Sequence, residues 1–260
     1  MTTDTLKIAI VQFAPVWENP LESRFKLDQL LAEVPSDCDL IVLPEAFNTG
    51  FSMEAEKVSE TMEGNTISWM KKASSEKNMA ICGSLFIHES GSYFNRFCWV
   101  EPNGDIKTYD KRHLFSMGSE DKTYTNGKNQ LLIDFKGWMI FPQICYDLRF
   151  PVWSRNTSDY HLLIYVANWP SARAEVWKTL LKARAIENQC FVVAANRVGT
   201  DGMALIYQGD SMVIDFKGNC ISDATDGEKV LIMELDKSSL LRFREKFDTL
   251  KDADAFVLNV

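Results

Sequence analysis

Three side chains suited to one reaction stand where apolar runs end. Glu45 follows the short run 39–43 (DLIVL), within Leu43-Pro44-Glu45-Ala46-Phe47. Lys111 lies in the charged stretch Tyr109-Asp110-Lys111-Arg112-His113-Leu114-Phe115, and Cys145 opens Cys145-Tyr146-Asp147-Leu148-Arg149-Phe150-Pro151. Cleaving an amide requires a nucleophile, a group to move its proton, and positive charge for the oxyanion. A cysteine attacks as the thiolate and forms a thioester. A glutamate takes the thiol proton, passes it to leaving ammonia and then activates water. A lysine beside it, with the backbone N–H of Tyr146, stabilises the tetrahedral oxygen.

These residues need a frame that gathers strand ends. Residues 6–13, 39–43, 79–87, 93–100 and 105–110 read as strands, as do 131–135, 138–144, 161–166, 190–195, 211–215 and 230–234. Residues 21–34, 67–77, 172–188 and 237–246 have helical spacing, with Val176, Trp177, Leu180 and Leu181 as one stripe. Lys136-Gly137 joins two strands in a hairpin. Apolar strands alternating with helices predict an α/β layered protein. About a dozen strands exceed a comfortable open sheet, so two sheets packed face to face and covered by helices are expected. In α/β sheets ligands collect at the carboxyl ends of strands, where all three candidates fall.

Composition narrows the partners. The 260 residues show no linker or repeat, which predicts a single domain over 1–260. A net charge of -8 argues against nucleic acid or an anionic membrane surface. No stretch is long and apolar enough to span a membrane, and residues 1–6 do not read as a signal peptide. Six scattered cysteines without C-x-x-C, and only three histidines, suit neither a disulfide framework nor a zinc site. Cytoplasmic placement follows as the expectation, with most of the other thiols inert in the core.

The three segments resemble the carbon-nitrogen hydrolase (nitrilase) superfamily, whose Glu-Lys-Cys triad has this order and similar separations, here 66 and 34 residues. The resemblance continues through Ala167-Asn168-Trp169-Pro170, residues 182–188, 195–199, 209–211 and 243–247, nearly the whole chain. It implies a four-layer αββα sandwich, a homodimer or larger assembly, and neither metal nor organic cofactor. It also implies a second glutamate that positions the triad, for which Glu120 is the match. Residues 43–51, the segment from Lys111 to Glu120 and Arg244-Glu245-Lys246-Phe247 resemble the omega-amidase branch. That branch hydrolyses the terminal amide of dicarboxylate monoamides such as 2-oxoglutaramate and succinamate. Such a substrate needs a cation for its far carboxylate, and Arg173, near a helix start, is the candidate. Phe47 and Trp169 are expected as apolar walls.

Other readings compete residue by residue. Asp147 and Arg149 are expected to pair and hold the turn after Cys145. His113 lies near enough to Lys111 to suggest a Cys-His pair, but no papain-like context surrounds it. Asn168 either orients the site or caps a turn. Trp169 at such a position is more often core than wall, and Glu187 is expected to be buried against an arginine. At the level of function, the alternatives are an N-carbamoyl amino acid amidohydrolase, an aliphatic amidase or a nitrilase. A non-catalytic assembly module of the same fold is the alternative from another class.

Overall fold

The computed structural model describes residues 3–258, so Met1 and Thr2, within the expected N-terminal segment, lie outside it. The strands are β1 (Thr5–Gln12), β2 (Leu40–Val42), β3 (Ala80–Glu89), β4 (Ser92–Val100), β5 (Ile106–Asp110), β6 (Ile133–Phe135) and β7 (Trp138–Ile144). They continue with β8 (Leu162–Ala167), β9 (Phe191–Asn196), β10 (Val198–Thr200), β11 (Ile206–Ile214), β12 (Cys220–Thr225) and β13 (Lys229–Asp236). The helices are α1 (Pro20–Ala32), α2 (Ala55–Val58), α3 (Asn65–Lys77), α4 (Glu120–Thr123), α5 (Ala174–Asn188) and α6 (Lys237–Lys246).

Two sheets form. One has six strands in the order β13-β1-β2-β3-β4-β5; the other runs β10-β11-β9-β8-β7-β6, with β12 on β11. The alternation along β1 shows how they stack. Leu6, Ile8 and Ile10 join Leu40, Val42, Phe97 and Trp99 against Ile140, Ile164 and Val193 of the second sheet. The intervening Ala9 and Val11 join Ile41 and Ile81 against Leu27 and Leu31 of α1 and Ile67 and Met70 of α3. A period of two thus gives each strand one face for its partner sheet and one for its helices. On the far side, Trp177, Leu181 and Ala185 of α5 pack into the second sheet. The order helix, sheet, sheet, helix is the αββα sandwich.

Local chemistry explains most element ends. Pro20 opens α1 and the Asn19 side chain accepts from the Glu22 N–H, which caps it. Asp236 caps α6 by accepting from the Ser239 N–H. Lys136 and Gly137 both have positive φ (53° and 78°) between the paired Phe135 and Trp138, as a tight right-twisted hairpin requires. Three expectations are corrected. The helix expected from 172 begins at Ala174, because Ser171–Arg173 form a separate 3-10 turn. Val176 leaves the expected stripe and is 36% exposed, whereas Trp177 and Leu181 are fully buried. The short β10 and the largely polar β12 were not expected as strands.

Candidate active site

The strand ends converge as expected. Glu45 lies three residues past β2, Lys111 directly after β5, Cys145 directly after β7 and Asn168 directly after β8. The two sheets contribute two segments each, so the site lies across the rim of the sandwich.

The charged centre is dry: Glu45 and Glu120 are fully buried and Lys111 is 1% exposed. The Lys111 ammonium donates to Glu45 Oε1 at 2.8 Å and to Glu120 Oε1 at 3.0 Å, with Glu120 Oε2 at 2.9 Å. The Asn95 amide donates to the same Oε1 atoms, at 2.8 Å on Glu45 and 3.1 Å on Glu120. The Asn168 backbone N–H donates to Glu45 Oε2 at 2.8 Å, and the Phe115 N–H to Glu120 Oε2 at 2.6 Å. Burial opposes the Lys111 charge, but Glu120 and Glu45 outweigh it and hold its pKa above the usual lysine range. Burial raises the Glu120 pKa, and the Glu45 charge adds to that while Lys111 opposes it.

Backbone constraints set the lysine and the cysteine. The Lys111 N–H donates to the Asn95 carbonyl and its own carbonyl accepts from Gly127, both at 2.9 Å. Any β-carbon on Gly127 would meet the Asp110 carbonyl oxygen at 2.0 Å, so this approach requires glycine. Cys145 adopts φ 43° at a sharp strand-to-turn junction, a left-handed conformation that is costly for a side-chain-bearing residue. Its thiol is 3.9 Å from the Asn168 carbonyl oxygen. Burial pushes the thiol pKa well up, the Glu45 charge pushes it further, and Lys111 works against both. Burial and the neighbouring carboxylate thus favour the thiol over the thiolate at Cys145.

Asp147 joins the cysteine turn to the lysine loop. One oxygen accepts from the Ile144 N–H at 3.0 Å and the Tyr109 hydroxyl at 2.8 Å. The other accepts from the His113 N–H at 2.9 Å and lies 2.8 Å from His113 Nδ1. The expected Asp147–Arg149 pair is thus absent: the carboxylate is fully engaged, and the Arg149 guanidinium lies 5.1 Å above the Trp169 ring. His113 is likewise committed to Asp147 and stacks on Phe150 at 3.8 Å, which removes it as a partner for Cys145.

Glu45, Lys111 and Cys145 line a cavity of about 610 Å³. Tyr146, Arg149, Trp169 and Arg173 also line it, with aromatic and aliphatic side chains such as Phe51, Phe115 and Leu205 and the acids Glu18, Glu54 and Asp201. Arg173 is where the sequence suggested, 5.5 Å from the Phe115 ring, and the indole N–H of Trp169 donates to its carbonyl. Trp169 is both wall and near-core, 4% exposed. Asn168 orients the site, because its side-chain amide donates to the Glu45 carbonyl in addition to the backbone bond to the carboxylate. Phe47 is corrected: Ala46 at φ 43° turns it into the outer core, 6.0 Å from Trp69. There a β-carbon on Gly83 would come within 2.7 Å of its ring. Glu187 pairs with Arg184 at 2.9 Å as expected, but is only half-buried.

Sequence reasoning missed Asn95 and Arg149. Asn95 carried a signal, being polar in the row of β4 that places Phe97 and Trp99 in the intersheet core. Arg149 was hidden by the acid two residues before it.

Comparison with known proteins identifies the family. Residues 7–245 match the Carbon-nitrogen hydrolase family. The chain is 44% identical over 255 residues to an omega-amidase of Yersinia enterocolitica, covering 98% of this chain and 99% of that one. It is 30% identical over 250 residues to a 2-oxoglutaramate amidase of Bacillus subtilis (strain 168), covering 94% and 96%. Among solved structures, a CN-hydrolase superfamily protein of Xanthomonas campestris with an arsenic adduct in its active site superimposes with a TM-score of 0.96. It shares 44% identity, with 98% and 99% of the chains covered. The chain belongs to the carbon-nitrogen hydrolase family.

Proposed function

We propose that this protein hydrolyses the terminal amide of small dicarboxylate monoamides, such as 2-oxoglutaramate and succinamate, through a thioester on Cys145. One observation carries the reading. The buried Glu45–Lys111–Glu120 cluster opens beside Cys145 onto a cavity that also presents Arg149 and Arg173, each against an aromatic ring. Among the described residues neither arginine forms an ion pair, while of the acids that line the same cavity Glu18 is held by Lys57 and Asp201 by the Tyr207 hydroxyl, which suits cations that await an anionic substrate group.

The reaction follows from these positions. Glu45 accepts the Cys145 thiol proton as sulfur bonds to the amide carbon. The carbonyl electron pair moves onto oxygen, where the Lys111 ammonium and the Tyr146 backbone N–H stabilise it. Collapse breaks the C–N bond, and Glu45 returns the proton to nitrogen so that ammonia leaves. Water then gives a proton to Glu45 and attacks the thioester. Breaking the C–S bond releases the acid and, with that proton, restores the thiol. Glu120 holds Lys111, Asn168 orients Glu45, and Trp169 walls the acyl chain. The related omega-amidase and 2-oxoglutaramate amidase support the substrate class.

We include in this reading one catalytic domain over 1–260, a homodimer or larger assembly, and a cytoplasmic location. All six cysteines are unpaired, in keeping with a reducing compartment. Sedimentation of the purified protein tests the assembly. Ammonia release from 2-oxoglutaramate, succinamate, N-carbamoyl-β-alanine and an aliphatic nitrile tests the activity. Turnover of the monoamides is the expected result; turnover of only the carbamoyl compound or the nitrile overturns the substrate class. No ammonia from any of them favours the assembly module.

A further inference from the structure

We infer that Asn95 is a positioning residue that holds Glu45 and Glu120 together on Lys111 and so sets the pKa of Glu45, the proton carrier of the site. The inference rests on the amide-hydrolase reading above and follows from counting acceptor positions. A carboxylate has about four, two on each oxygen. On Glu120, Oε1 receives Lys111 and Asn95, and Oε2 receives the Phe115 N–H and faces the Lys111 ammonium as an ion pair at 2.9 Å. On Glu45, Oε1 is likewise closed by Lys111 and Asn95, but Oε2 receives only the Asn168 N–H. Glu45 Oε2, with the Asn168 N–H as its one donor and no cation against it, is therefore the least engaged oxygen of the two acids.

Asn95 is the element common to both closures, since a single amide nitrogen serves both Oε1 atoms. It brings two buried carboxylates to one ammonium without adding charge. Its orientation is not free, because turning the amide over would set its carbonyl against both carboxylates. The present orientation leaves Asn95 Oδ1 buried without a partner. An orphaned acceptor is costly, and it persists here because the two charged bonds on the nitrogen outweigh it. The backbone reinforces the placement: the Asn95 carbonyl accepts from the Lys111 N–H, so one residue sets the lysine and both acids. The other titratable groups acting on the cluster are Cys145, which adds to the field on Lys111, and Tyr124, whose hydroxyl donates to the Ser52 carbonyl.

The test compares Asn95→Asp, nearly isosteric but lacking both donors and adding a charge, with Asn95→Ala. Ammonia release is followed from pH 5 to 9 with the amide that the wild type turns over best. Removing a donor to the charged form raises a carboxylate pKa, and a like charge raises it further. The acid limb of kcat/KM should therefore move to higher pH in both variants, by about one unit or more in N95D and less in N95A. The kcat at pH 7 should fall about 10- to 100-fold in N95D with KM within about threefold. A merely structural role would scale activity equally at every pH. An acid limb at the wild-type position in either folded variant overturns the inference, as does wild-type kcat in N95A. A wild type that releases no ammonia indicts the amidase reading instead, so the two failures are distinguishable. Thermal unfolding of each variant identifies the folded samples, and N95A carries the test where N95D does not fold.

Discussion

The cavity has two regions built on opposite plans. Around Lys111 every charge is answered: two carboxylates, one ammonium, one side-chain amide and two backbone N–H groups close on one another at 2.6 to 3.1 Å. A few residues away, Arg149 and Arg173 rest on aromatic rings, and among the described residues no carboxylate answers either. The inner region is preorganised for charge that develops during reaction, and its cost is met in folding. The arginines, by contrast, form no ion pair among the described residues, and on the proposed reading a substrate carboxylate supplies one. On that proposed reading, the inner plan governs which bond is cut and the outer plan governs whose. Substitutions should divide along this line, those inside lowering kcat and those outside raising KM.

The largest effects belong to the inner region. Cys145→Ala should abolish ammonia release while leaving the fold intact, since it removes only a sulfur at the edge of the cavity. Measurable residual activity well above the uncatalysed rate would remove Cys145 as nucleophile. Lys111→Met should lower kcat by about 10³-fold or more, from the lost oxyanion stabilisation. It should also destabilise the protein, because two buried carboxylates lose their counter-charge, by about 3–5 kcal/mol for a broken buried pair. If the melting temperature of Lys111→Met matched the wild type, the cluster would not be the tight ion assembly described here.

The outer region should respond more mildly and more selectively. Arg149→Ala and Arg173→Ala are each expected to raise KM for a dicarboxylate monoamide about 10- to 100-fold, consistent with loss of a charge-assisted bond. Both should leave a neutral amide of similar length nearly unaffected. The arginine with the larger selective effect is the carboxylate ligand. Equal effects on charged and neutral amides would assign that arginine to holding Trp169 or Phe115 in place.

The same contrast explains what could be read from sequence. Glu45, Lys111 and Cys145 were legible because a charged or reactive residue at the end of an apolar run breaks the local pattern, and because the segments resemble a family. The αββα layering was legible from strands without a polar face. Asn95 showed only as a polar residue in a core-facing row, because its role appears once the partners across 25 and 50 residues are in place. Phe47 was misplaced by one backbone angle: positive φ at Ala46 redirects the chain, and composition does not report it. Arg149 was misread because proximity to Asp147 in sequence suggested a pair, whereas Asp147 turns toward Tyr109, His113 and the Ile144 N–H. The edge strand β12, Cys-Ile-Ser-Asp-Ala-Thr, buries only one side chain and so lacks the alternation that marks a strand.

The smallest expected effect lies at the other end of β8, which leads to Asn168 at its carboxyl end. Before its first residue stands His161, whose Nδ1 accepts from the Met139 N–H at 3.0 Å. Burial, with the charges of Arg244 and Lys237, lowers its pKa from 6.5 to about 4. The charges of Asp159 and Asp134 oppose this shift but are outweighed, so the fold prefers the ring neutral. Below pH 6.5 the unfolded chain binds a proton here that the folded chain resists until about pH 4. Stability from this residue is thus complete above pH 6.5 and falls as the pH drops through that window. Solvent reaches part of the ring, so screening should limit the loss to about 1 kcal/mol, roughly 2–4 °C in Tm for a chain of this size. His161→Asn keeps an acceptor for Met139 and cannot protonate. Its Tm should fall less than that of the wild type between pH 7 and pH 4.5, and parallel curves would show that the imidazole does not titrate with folding.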